Sequence, residues 1–457
     1  MIWKYSRATA AHALLLACAA LAQGQAPAPP VAPAAPAAGS VITGAGAEPA
    51  APARLGKLIA LGSQPDWKRL EAFANTMTRA ELEGALQKIY TDGSALPLPW
   101  RIEQEALIIQ TGDAAAPEVR IPLAVRAEPP PYTSRTWHRA GELPPLKADK
   151  PPLTDIHIAI DPGHIGGSFS VMEERFLSFQ PPEAIQEGVL TLVTAQVLAE
   201  RLRALGAYVT LVRDKLEPVT DLRPPALRDA AVTVLRDAGF TDFKETYDGL
   251  AGDAKIITVQ WQSEKLFYRV GEIHARAKKV NQQIKPDLVL CLHYNAEAWG
   301  DANAPQYSPL NHYHVLVNGC YAPVEVEQAD VRFEMFQRLL SRVHEEELPL
   351  ADAVSRGLAA ATGLPPYVYT TPNARRVTED PGVYARNLLA NRLYNCPVVY
   401  LEPYVMNHEE TYHRLLAGHF IGRTLIAGRL QTSAIEDYVR GVVKGLVTYY
   451  QTRRKPL

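Results

Sequence analysis

Three short apolar runs in this chain of 457 residues break off at residues that can do chemistry, and no other feature limits the fold so tightly. Ile156-His157-Ile158-Ala159-Ile160 stops at Asp161-Pro162-Gly163-His164, Leu288-Val289-Leu290-Cys291-Leu292 at His293-Tyr294-Asn295, and Pro397-Val398-Val399-Tyr400-Leu401 at Glu402-Pro403. Runs this short and apolar read as strands buried on both faces. Between them the period becomes helical. Residues 182–205 put Leu190, Val193, Val197, Leu198 and Leu202 on one face, 269–284 form a second helix, and 208–212 a further strand. Alternating strands and helices predict an α/β fold, a mostly parallel sheet with helices on both faces. Open α/β sheets keep ligand sites at the carboxyl ends of their strands. His164, His293 and Glu402 are therefore expected at one edge, with Glu187 in the first or second turn of the nearby helix.

Two imidazoles and one carboxylate around an open position form the ligand set of a hydrolytic zinc site, which also needs a second carboxylate as proton carrier. Each residue alone has a plainer role, since a strand-end His is usually a surface or capping group and a helical Glu is usually solvated. Their joint occurrence at corresponding edges of one sheet carries the information. Glu173, Glu174 and Glu183 are rival carboxylates between His164 and Glu187. Asp161 is expected to cap or orient its turn, His157, His312 and His314 to be structural, and Glu345-Glu346-Glu347 to be a solvated helix face. Cys291, Cys320 and Cys396 read as buried free thiols, and without a CxxC pair a thiolate zinc site or redox enzyme is disfavoured.

Lys and Arg number 47 against 49 Asp and Glu, a formal charge of −2 with no long basic block, which excludes a chain devoted to neutralising nucleic-acid phosphates. Residues 1–22 read as a signal peptide: Lys4 and Arg7 precede the apolar stretch Ala8 to Leu16, and Ala20-Leu21-Ala22 fits ordinary cleavage. Leu15-Leu16-Ala17-Cys18 competes with it as a lipobox that would leave a lipidated Cys18, the one expected membrane anchor. The expected location is the periplasm or cell envelope. An Ala/Pro-rich tether follows over 23–53, too poor in apolar surface to fold. A small α+β unit is expected over 54–150, with helical spacing from Asp66 to Ile89 and strands over 100–110 and 119–125. A larger domain spans 154–452, with insertions near 214–266 and 299–378 expected to contain helices.

Four blocks of the larger domain occur in a familiar order. An apolar strand runs into Asp161-Pro162-Gly163-His164-Ile165-Gly166. Glu187 opens an amphipathic helix followed by Leu192, Ala195, Leu202, Gly206 and Arg213. Arg276 and Asn281 precede the strand ending in His293-Tyr294-Asn295, and a last strand ends at Glu402 with Asn407 shortly after. From Thr154 to Thr448 the chain resembles the catalytic domain of the zinc-dependent N-acetylmuramoyl-L-alanine amidases, the bacterial cell-wall amidases. The resemblance favours Glu187 over its rivals and implies that His164, Glu187 and His293 hold Zn2+ while Glu402 is the catalytic acid/base. It also implies hydrolysis of the amide between N-acetylmuramic acid and L-alanine, with peptidoglycan as partner and room for an activator protein. Two departures are the missing Gly-rich acidic run after the first turn and Pro-Tyr-Val-Met-Asn after Glu402. A regulatory lid over 299–378 is a further expectation, because a related insertion in some family members carries an occluding helix. The competing expectations are a non-catalytic peptidoglycan-binding protein of the same fold and a zinc peptidase acting on stem peptides. The chain has no H-E-x-x-H, and Gly167 stands where H-x-x-E would need an acid.

Overall fold

The computed structural model describes residues 55–94, 97–126, 135–250, 252–300 and 305–455. The expected signal peptide, lipobox and tether lie outside the described residues.

The first unit begins with the helical turns Trp67–Phe73, Arg79–Ala85 and Leu86–Tyr90. Thr78 caps the second by accepting the Glu81 amide while Glu81 accepts the Thr78 amide, a reciprocal capping box. Three antiparallel strands follow, β1 (Trp100–Ile102), β2 (Ala106–Gln110) and β3 (Glu118–Pro122). The expected single strand over 100–110 is thus a hairpin, because the polar break Glu103-Gln104-Glu105 turns the chain.

The main sheet is built from β4 (His157–Pro162), β7 (Tyr208–Leu211), β8 (Leu288–Leu292), β9 (Tyr313–Val317), β10 (Arg375–Arg376), β11 (Val383–Ala385) and β12 (Val398–Pro403). A separate hairpin, β5 (Phe176–Gln180) and β6 (Glu183–Gln186), lies between β4 and β7 in the chain. The seven strands run in the order β10-β11-β9-β12-β8-β4-β7. β4, β7, β8 and β12 are mutually parallel, β11 is parallel to β9, and β12 meets β9 antiparallel. This is the expected α/β architecture. β4 is buried along almost its whole length and β8 and β12 throughout, as strands covered on both faces must be.

Two corrections bear on the site. The helix expected from Pro182 begins only at Glu187 and runs to Ala204, because Pro181 and Pro182 turn the β5–β6 hairpin and Glu183 to Gln186 pair as a strand. The described part of the stretch 299–378, expected as an insertion containing helices, holds such helices and is also built into the core. It supplies β9 beside β12, together with helices Ala329–Leu340 and His344–Thr362. The first of these helices carries the small unit: Phe333 meets Trp67 edge-on at 5.5 Å, Phe336 meets Trp100 at 5.1 Å, and Arg332 donates to the carbonyls of Leu55, Gln110 and Thr111. The acidic run is not solvated either. Glu347 is buried against Arg338 and accepts the Val398 amide, and Glu346 accepts the Ala140 amide. The three described cysteines are buried free thiols.

Candidate metal centre

Register brings the strand ends level. Asp161 lies opposite Cys291 and Pro162 opposite Leu292, while Leu292 also faces Leu401. The ladder continues past the strands, with the Gly163 amide donating to Leu292 O at 2.8 Å and the His293 amide to Leu401 O at 2.9 Å. His164, His293 and Glu402 therefore leave the sheet side by side.

The first turn is held by groups committed to its backbone. Arg276 pairs with Asp161 at 2.9 Å and donates to the carbonyls of Pro162 at 2.7 Å and His164 at 2.9 Å. Asp161 thus orients the turn through Arg276, as a capping role requires. The turn leaves His164 at φ 57°, a left-handed conformation costly for a residue with a Cβ and typical of functional sites. Gly163 is required by close approach, since a Cβ there would stand 2.2 Å from the His293 ring. Gly188 is required for the same reason, as its Cβ would come within 2.3 Å of the Gly166 amide nitrogen, so the turn packs directly on the start of the helix.

Glu187, the first residue of that helix, points its carboxylate between the two imidazoles. His164 Nε2 is 3.2 Å from Glu187 Oε2, and His293 Nδ1 is 3.0 Å from Glu187 Oε1. The rings cross at 79° with centroids 5.2 Å apart, and His293 is stacked on Tyr400 at 4.4 Å. One ligand atom from each of His164, Glu187 and His293 lies within 4.8 Å of the others, and no other such group occurs among the described residues. Donors at zinc bonding distance in a tetrahedral site stand about 3.3 Å apart, and each imidazole stands near that spacing from a different oxygen of Glu187. Ionisation matches as well. Burial pushes the Glu187 carboxyl up, but His164, His293 and Arg175 outweigh it and hold it down to about 2. Burial outweighs the opposing charge of Glu187 and keeps the His164 imidazole well below its ordinary value. The donor set fits a zinc ion.

Glu402 lines the same cavity of about 520 Å³ and is only 3% exposed. Burial, and next the negative Glu187, raise its carboxyl well above the usual range. The rival carboxylates are engaged elsewhere. Glu173 accepts the Ile165 and Gly166 amides and stands 3.5 Å from His164 Nδ1, on the side away from Glu187. It is placed to orient the imidazole from behind. Glu174 pairs with Lys255 and Lys265, and Glu183 is an exposed residue of β6. Asn407 is fully buried, donating to Glu297 O and accepting the Glu297 amide, so the segment after Glu402 braces the loop that follows His293. Arg175, whose Nε lies 3.2 Å from Glu187 Oε2, was not legible in the sequence, because no pattern marks a lone Arg at a hairpin start.

No family model matches this sequence, and no curated protein matches it. Several solved structures do. The apo form of the N-acetylmuramyl-L-alanine amidase Ami1 from Mycobacterium abscessus is 16% identical, with 65% of this chain and 99% of that chain covered at a TM-score of 0.34. The CwlD amidase from Clostridioides difficile, in complex with the GerS lipoprotein, is 12% identical over 65% of this chain and 100% of that one, at 0.36. The N-acetylmuramoyl-L-alanine amidase AmiC2 of Nostoc punctiforme is 13% identical over 65% and 99%, at 0.33. Likeness this distant transfers no role to any residue, and the side chains must speak for themselves.

Proposed function

We propose that this chain is a zinc-dependent N-acetylmuramoyl-L-alanine amidase of the cell envelope, cleaving the amide between N-acetylmuramic acid and L-alanine in peptidoglycan. The observation that carries this reading is the convergence of His164, Glu187 and His293 beside Glu402 in one cavity. His164, Glu187 and His293 would hold the ion. Zinc supplies Lewis-acid polarisation of the scissile carbonyl and acidifies water to a pKa of about 7.

The protein's own residues do the rest. Glu402 takes a proton from the attacking water on its carboxylate and returns it to the departing amine of L-alanine, so the C–N bond breaks as the lactyl carboxylate forms. A carboxyl raised by burial suits a group that must accept and then release a proton. Arg175 fixes one oxygen of Glu187, and Glu173 fixes the turn that carries His164. Residues 1–22 act as the export address, with Cys18 as an anchor where it is lipidated. The unit 54–150 then precedes the catalytic domain 154–452.

The test is mass analysis of products from purified peptidoglycan incubated with the zinc-loaded protein. The reading expects intact stem peptides beginning with a free L-alanine amine. Cleavage inside the peptide would identify a zinc peptidase instead, and binding without any product a non-catalytic wall protein.

A further inference from the structure

Arg269 lines the cavity that holds the metal-ligand cluster and is 6% exposed. Its Nε donates to Tyr268 Oη at 3.1 Å, yet neither terminal guanidinium nitrogen has a hydrogen-bond partner among the described residues. The other two arginines of this cavity are committed. Arg276 is bonded to Asp161, Glu272 and two carbonyls, and Arg175 to Glu187 and Glu174 O. A buried guanidinium with two unpaired nitrogens is costly to retain, and removing that cost is work a ligand can do. A guanidinium presents its two terminal nitrogens as a planar fork, which matches the two oxygens of a carboxylate. Arg269 shares its cavity with His164, Glu187 and His293. Any anion it captures therefore lies close to the ligand cluster.

We infer that Arg269 is a specificity-determining residue that binds a free carboxylate of the substrate, carried within a residue or two of the scissile amide. The inference rests on the amidase reading for the identity of that substrate. In a stem peptide, the residue after L-alanine carries either a free carboxylate or a carboxamide, and Arg269 selects the carboxylate.

The experiment compares N-acetylmuramoyl-L-alanyl-γ-D-glutamyl-L-lysinamide with its D-isoglutaminyl counterpart, so that the γ-carboxyl is an amide in both and only the α-group differs. Binding to the protein is followed by calorimetry, and hydrolysis by the zinc-loaded protein is followed by mass analysis. The acid form is expected to bind about tenfold or more tightly than the amide, with the difference appearing in KM rather than kcat. Arg269→Gln should bring the two forms to within about twofold of each other. Arg269→Lys, which keeps the charge but not the fork, should retain part of the preference. That ratio is a readout a merely structural arginine would not move. Equal binding of the two forms by the wild type, or a preference that survives in Arg269→Gln, would overturn the inference even if both are hydrolysed. Preferential binding of the acid form with no hydrolysis of either would uphold the carboxylate site and remove the amidase reading instead.

Discussion

Two pairs of imidazoles stand along the same edge of the main sheet, and only one of them can share an ion. His164 and His293 come from neighbouring strands and meet on a single buried carboxylate, Glu187, at 3.2 and 3.0 Å. His312 and His314 are two residues apart, so they point to one face of β9, and their rings lie nearly parallel with centroids 6.1 Å apart. Each is occupied separately. His312 Nε2 is 3.0 Å from Glu297, and His314 packs against Tyr367 and Tyr369. Both pairs are close to Glu402, whose cross-strand partner is His314. Count and proximity of His therefore do not make a metal centre. What separates the pairs is an ionised carboxylate delivered between two rings by the first residue of a helix.

This contrast can be broken most sharply at His164. His164→Ala should reduce peptidoglycan hydrolysis to background in a dye-release assay, and substantial residual turnover would mean that the first pair is as structural as the second. Glu402→Gln comes next. It should keep the metal while lowering kcat by about 10²–10⁴-fold, the usual scale of general acid–base catalysis. His314→Ala should leave both metal content and fold intact, at a cost of ~1–2 kcal/mol in denaturant unfolding, because it removes packing and one long contact with the Tyr369 hydroxyl. Loss of metal from that variant would erase the distinction between the pairs.

The smallest expected effect applies the same contrast to carboxylates. Burial pushes Glu174 up, but Lys265 and Lys255 hold it down to about 2. A folded pKa below the unfolded one gives stability that is present above pH 4.5 and lost as pH falls through about 2. Because its side chain is 36% exposed, screening limits this to ~1 kcal/mol or less. Glu174→Gln should therefore flatten the acid side of the stability profile slightly in thermal melts from pH 5 to 2, without touching metal content.

The parts of the molecule legible in sequence are those where one physical demand dominates. A strand buried on both faces must be apolar throughout, so β4, β8 and β12 announce themselves, and their abrupt polar ends mark the edge at which His164, His293 and Glu402 emerge. The blocks around Glu187 were legible through the helix pattern that follows it. Other features answer to partners distant in the chain. The β5–β6 hairpin lies where a proline pair reads equally well as a helix start. The alternation of His312 and His314 with apolar residues marks a strand, but the place of β9 in the main sheet was hidden inside an apparent insertion, because its neighbour β12 lies some eighty residues on. Glu347 reads as a solvent-facing acid until Arg338 and the Val398 amide are placed against it. Arg175 and Arg269 carry no local signature, and only the folded cavity shows which guanidinium is bonded and which has unpaired nitrogens.

The most direct test of the central claim is metal content, measured by native mass spectrometry on the wild type and on Glu187→Ala after loading with zinc and removal of excess. One zinc per wild-type chain and none in the variant is the result expected of a carboxylate joining two imidazoles around one ion. A wild type that retains no zinc, or a variant that keeps its full complement, would contradict it.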